Sequence, residues 1–151
     1  MKFKIIIITA IIVFSNLGTG NAQEDKNASA KDGIEFFEGT WKEALELADK
    51  ENKAIFLDVF ASWCGPCKML KANTFPNADA GLYFNKNFIN VTLDGEKGEG
   101  VQIAREFNVR AYPSLFIVNS SGEAVLYYPG YIDAEQLIEL GKAGIKRLDE
   151  I

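Results

Sequence analysis

From residue 34 onward the chain alternates between two hydrophobic rhythms. Trp41, Ala44, Leu45 and Ala48 recur at the spacing of a helix with one apolar face. Thr40 precedes them and Glu43 follows three positions later, a pairing that satisfies two free N–H groups at a helix start. That helix should fade at Glu51-Asn52. Residues 54–60 (AIFLDVF) form an apolar run with a single charge, Asp58, and predict a strand covered on both faces. Lys68, Met69, Leu70 and Ala72 predict a helix that Pro76 should break, and residues 78–85 predict another. Residues 88–94 (FINVTLD) predict a second strand. The following GEKGEG, 95–100, reads as a solvated connection. Val101, Ala104, Arg105 and Phe107 suggest a helix ending near Asn108. Residues 114–118 and 124–128 predict strands joined by a hairpin at Asn-Ser-Ser-Gly. Asp133 with Gln136 should cap a last helix. Leu137, Leu140, Ile145 and Leu148 form its inner face, and Gly141 and Gly144 should weaken it. A strand–helix–strand unit, a hairpin and a closing helix imply an α/β fold with a central mixed β-sheet flanked by helices.

The amino-terminal region follows a different pattern. Lys2 and Lys4 precede an apolar run, 5–14, interrupted by Thr9, and small or polar residues follow to Ala22. This order is that of a secretory signal peptide, residues 1–22, cleaved before Gln23. The competing reading is an uncleaved anchor, but the run is shorter than the about 20 apolar residues of a spanning helix. The chain is therefore expected to be exported, periplasmic or extracytoplasmic, with a soluble mature form. Residues 23–33 are polar and aperiodic and read as a disordered linker. The folded domain is expected over 34–151.

Composition narrows the chemistry. The 151 residues suit one domain, and a formal charge of −5 offers no basic footprint for nucleic acid. Histidine is absent, which removes the usual general base near pH 7 and the commonest metal ligand. The chain holds 2 cysteines, Cys64 and Cys67, separated by Gly65 and Pro66 and preceded by Trp63. Two thiols without histidine make at most half of a structural zinc site, so no metal is expected. A static disulfide over so short a loop would restrain little chain entropy, and two inert core thiols would not need a Gly-Pro insert. A redox pair fits better. The pair sits where the buried strand gives way to a helix, so free backbone N–H groups favour a thiolate at Cys64, with a pKa of about 7 or below in such motifs. Pro66 suits the first helical turn, where a missing N–H costs nothing. Cys67, one turn in, should be less exposed. The outer thiol would attack and the inner one resolve.

Trp63-Cys64-Gly65-Pro66-Cys67-Lys68, with Asp58 on the strand before it, resembles thioredoxin. Tyr112-Pro113-Ser114 is similar to the family's loop opposite the active site, in which the proline is cis. Gly130 falls where the family has a glycine lining the substrate groove. The resemblance runs from about Trp41 to Leu148 and implies a thioredoxin-like fold. The chain departs from thioredoxin proper in two places. Ala72 stands where a helix proline is usual, and Asn90 where a lysine partners the buried aspartate. The long first helix leading into "NKAIFLDVFASWC" is closer to exported thioredoxin-like proteins and to the carboxy-terminal domain of transmembrane thiol-disulfide reductases.

A buried Asp58 without a nearby cation would have its pKa raised and could take the proton from Cys67, with an edge position pointing into water as the alternative. Trp63 is expected to shield the disulfide and contact a partner, with core packing as the alternative. Tyr112, Pro113 and Gly130 are the expected substrate-binding positions, and a cis bond at Pro113 would turn the Tyr112 backbone towards Cys64 to pair with an extended peptide. Lys68 either supports the thiolate or is simply solvated. The expected function is reduction of disulfides in exported proteins without a cofactor, with electrons from a membrane thiol reductant. An oxidase or isomerase of the same fold, and a redox-inactive peptide-binding module, are the alternatives.

Overall fold

In a computed structural model the described residues are 33–150. The signal peptide and most of the proposed linker lie outside them. Gly33, placed in the linker by sequence, is part of the fold. It is buried, and its carbonyl accepts a hydrogen bond from Asn85 Nδ2 at 3.1 Å. No helix among the described residues is long and apolar enough to cross a membrane.

Four strands form one sheet: β1 (Ala54–Phe60), β2 (Phe88–Asp94), β3 (Ser114–Val118) and β4 (Ala124–Pro129), in the order β2-β1-β3-β4. β1 pairs parallel with β2 and antiparallel with β3, and β3 pairs antiparallel with β4. The sheet is mixed, as the sequence predicts. Pro129 sits on an edge strand, where its missing N–H is tolerated.

The alternation of β1 explains the layers. Ile55, Leu57 and Val59 face α1 (Trp41–Glu51) and join Trp41, Ala44, Ile103 and Phe116 in one core. Ala54 and Phe56 face the other way, into a core with Leu70, Phe84, Ile117 and Leu137. Successive side chains of a strand point to opposite faces, so Asp58 belongs to the second face. The first face is covered by α1 and α4 (Gly100–Glu106), the second by α3 (Ala78–Asn87), α5 (Ala134–Asp149) and Leu70, which follows the cysteine helix α2 (Gly65–Met69).

The predicted capping boxes at Thr40/Glu43 and Asp133/Gln136 are both formed. Two local expectations change. The helix after the cysteines continues past Met69 as a π-helical turn, Leu70–Thr74, before Pro76. There Thr74 is buried and its hydroxyl donates to the Ile132 carbonyl at 2.7 Å. The second change concerns Gly144, which is more than a weak point of α5. A Cβ at Gly144 would lie 2.6 Å from Ile117 Cγ1, so the missing side chain lets the helix seat directly on β3.

Candidate active site

The site is built at the end of β1. Phe60 and Ala61 carry the chain off the strand, and Cys64 caps α2 in extended conformation. Cys64 Sγ accepts the Cys67 N–H at 3.1 Å, and Pro66 stands in the first turn. The two cysteines are joined by a disulfide, with Cα atoms 5.3 Å apart. Both are 2% exposed, packed with Ala61 against Phe60 and Tyr112. This corrects the expectation that Cys64 is the more open of the two. In the bridged form both sulfurs lie in the same apolar pocket, and what distinguishes them is the Cys67 backbone N–H aimed at Cys64 Sγ. Gly65 is exposed, with open space around its α-carbon.

Asp58 lies on the same face of β1 as Phe60, one position deeper, and is 1% exposed. Register sets it opposite Thr92 on β2 and Leu115 on β3. Thr92 Oγ1 donates to Asp58 Oδ2 at 3.0 Å, while Oδ1 has no partner. Burial pushes the Asp58 carboxyl up from 3.8 to about 7, opposed by the Thr92 hydrogen bond and the positive charge of Lys71. Burial penalises the charged form, and neither opposing influence cancels it.

Two sequence expectations need correction here. Asn90 does not take the place of the missing lysine beside Asp58. It pairs with Phe56, and its amide donates to the Glu35 carbonyl and to Asn85 Oδ1, each at 3.1 Å. Nor is Asp58 without a cation. Lys71, from the π-helical turn, lays Nζ 3.4 Å above the Phe60 ring and acts on Asp58 from there.

The rim places the other expected residues together. Trp63 is 67% exposed, which rejects core packing. Its ring meets Tyr112 edge-on at 6.1 Å. The Tyr112–Pro113 bond is cis, as the resemblance implies, and Pro113 is buried. The Gly130 N–H donates to the Pro113 carbonyl at 2.8 Å, so these two positions are held together. Lys68 is exposed.

The GEKGEG segment proves to be part of this rim rather than a bare solvated connection. Glu96 Oε2 accepts the Trp63 indole N–H at 2.9 Å. Gly95 is buried; a Cβ there would lie 2.7 Å from the Tyr112 hydroxyl. Lys97 pairs with Asp94 at 3.0 Å. Glu99 accepts the Trp41 N–H at the start of α1 at 3.0 Å. Sequence reasoning missed Thr92, Lys71 and Glu96. The only signal available was the alternation of polar Asn90, Thr92 and Asp94 along the strand, which does not say which of them faces Asp58. Among the described residues no group of three or more His, Cys, Asp or Glu side chains could hold a metal ion.

A solvent-facing tryptophan, a bridged Cys-Gly-Pro-Cys at a helix start, a buried aspartate on the preceding strand and a cis proline following Tyr112 now coincide with a family match. The model of the thioredoxin-like domain covers residues 41–145. The chain belongs to the thioredoxin-like family. With its Cys64–Cys67 pair it is a thiol-disulfide oxidoreductase. It is 38% identical over 81 residues to a thioredoxin of Echinococcus granulosus, covering 54% of this chain and 70% of that one. Among curated relatives the share of their length that it spans falls as low as 9%. A Bacteroides thetaiotaomicron protein described as a candidate disulphide-isomerase superposes with a TM-score of 0.68 at 44% identity, covering 76% of this chain and 95% of that one. The DsbD c-terminal domain of Neisseria meningitidis superposes with a TM-score of 0.60 at 25% identity, covering 73% of this chain and 99% of that one.

Proposed function

We propose that this thioredoxin-like protein reduces disulfides of exported proteins. The observation that carries the direction is the setting of the bridge. Its packing partners, Phe60, Ala61 and Tyr112, are all uncharged. A strong oxidant stabilises its reduced form, chiefly by holding a thiolate near positive charge. Here the Cys64 sulfur has the Cys67 N–H and an apolar surround, so the dithiol is the better electron donor. Gly-Pro between the cysteines and the absence of histidine support the same direction.

The chemistry is two thiol–disulfide exchanges. Cys64 thiolate attacks one sulfur of a substrate disulfide, and the other substrate sulfur leaves and takes a proton. Cys67 then gives its proton to the Asp58 carboxylate and attacks Cys64 Sγ, expelling the second substrate thiolate. Two electrons pass from the cysteines to the substrate, and the Cys64–Cys67 bridge forms. A carboxyl that titrates at about 7 is matched to this task near neutral pH. Trp63, Tyr112, Pro113 and Gly130 form the rim on which the substrate chain would lie.

The basic, apolar and small-residue order of 1–22 supports export. An exported reductase needs electrons from across the membrane, so a membrane thiol reductant is the partner this reading requires. Mass spectrometry of the protein from its host should find a mature chain beginning at Gln23. A midpoint measured against glutathione should lie near about −270 mV, and a value near about −120 mV would reverse the direction. The isomerase reading is favoured by the likeness to the Bacteroides protein. Rapid recovery of scrambled ribonuclease with slow insulin reduction would select it.

A further inference from the structure

The proposed cycle leaves a proton on Asp58, which is 1% exposed and has no direct opening to water. That proton must depart before the next turnover. Thr92 offers Asp58 a polar path outward. Thr92 Oγ1 touches Asp58 Oδ2 at 3.0 Å. Thr92 is only partly buried, and it lines a surface cleft of about 270 Å³ with Ile34, Phe36, Lys71, Phe75 and Pro76. A cleft of this size admits several waters. The remaining walls are apolar, so the hydroxyl and the ammonium are its polar side chains. The cleft lies on the sheet face occupied by Asp58, beside the π-helical turn that supplies Lys71.

We infer that this cleft is the proton port of the site: Thr92 relays the proton between Asp58 and water, and Lys71 stands at the opening as a positioning charge. In the relay the Asp58 proton passes to Thr92 Oγ1 as the hydroxyl gives its own proton to a water in the cleft. The Thr92 O–H bond is thereby replaced, Asp58 is left as carboxylate, and hydronium leaves to bulk. No oxidant or co-reactant is needed. Lys71 is the charged side chain that acts on Asp58, and Thr92 is the polar group facing it from β2; Leu115 faces it from β3. A cation at the opening favours the carboxylate and so assists release. The register that places a hydroxyl opposite Asp58, and a lysine on the helix instead of the strand, thus form one device.

The inference rests on the reading that Asp58 receives the Cys67 proton, so its test must not depend on turnover. In the oxidised protein the Asp58 carboxyl can be followed by its infrared carbonyl band, both in a pH titration and after a pH jump. Thr92→Val should slow the relaxation by about tenfold or more. It should also raise the Asp58 midpoint by about one unit, as a hydrogen bond to the carboxylate is lost. Thr92→Ser should restore both. Ile34→Trp, which fills the cleft and leaves the hydroxyl in place, should slow relaxation without moving the midpoint. Lys71→Met should raise the midpoint. Wild-type relaxation rates in Thr92→Val and Ile34→Trp would overturn the port. Single-turnover reduction separates the two ideas: if Asp58→Asn resolves the mixed disulfide at the wild-type rate, the base role fails, whatever the infrared shows.

Discussion

Asp58 carries a measurable burden for the fold. Its carboxyl titrates near 7 in the folded chain, against about 3.9 in an unfolded one. Between these values the folded state binds more protons than the unfolded state, so stability falls as pH rises through this window. The contribution is fully present below about pH 4 and lost above about pH 7, an amount on the order of 4 kcal/mol for such a shift. Asp58→Asn should therefore be more stable than the parent at pH 8, with the difference shrinking towards pH 4; denaturant melts at a series of pH values would show it. The same variant should lose the resolving step. A residue that weakens the fold and serves the chemistry is the pattern expected at functional sites. Asp58, Cys64, Cys67 and Trp63 were legible because their signals are local: one charge in an apolar run, and two thiols around Gly-Pro. Thr92 and Lys71 were not. Their roles depend on strand register and on how a helix crosses a sheet, and Asn90 misled by lying two residues from the position that faces Asp58.

At the scale of elements, spacing locates every strand among the described residues, because each apolar run persists for a full element and is bounded by polar or turn-forming residues. The π-helical turn was invisible, since Leu70–Thr74 has ordinary helix formers and the extra residue is set by packing. The contacts of the acidic loop are hidden in the sequence for a related reason: its partners, Trp63 and Trp41, lie far away along the chain. Two substitutions probe its separate ends. Glu99→Ala removes the acceptor from the first N–H of α1 and should cost about 1 kcal/mol, a lowered melting temperature with unchanged kinetics. Glu96→Ala frees the Trp63 ring. A lost hydrogen bond of about 0.5–1.5 kcal/mol predicts a KM for protein disulfides raised about two- to tenfold with kcat held. Glu96→Gln keeps an acceptor and should behave closer to the parent. Equal effects of Ala and Gln would mean that charge matters and not the grip on the indole.

Across the whole molecule, both cores meet on β1, and the second is closed by α5 lying against β3. The Gly144 contact sets how closely they approach, and two opposed effects decide what a methyl there does. Alanine improves helix propensity by about 1 kcal/mol. Its Cβ, however, would stand 2.6 Å from Ile117 Cγ1 and 2.9 Å from Cβ and Cγ2 of the same side chain. Ile117 is fully buried and β-branched, so it cannot swing aside. Overpacking of this kind costs about 1–3 kcal/mol, which exceeds the propensity gain. Gly144→Ala should therefore lower the melting temperature despite its helical benefit. Combining it with Ile117→Ala should cost less than the sum of the single changes, because the cavity of one receives the methyl of the other. The effect should reach the site mainly through β3, which carries Ile117 and begins directly after Pro113. Substrate affinity is then expected to change while the redox midpoint stays fixed, since α5 does not pack against the cysteines. A midpoint that moved with Gly144→Ala would show that the two cores are mechanically coupled through β1, and that the site is less insulated from the second core than its packing implies.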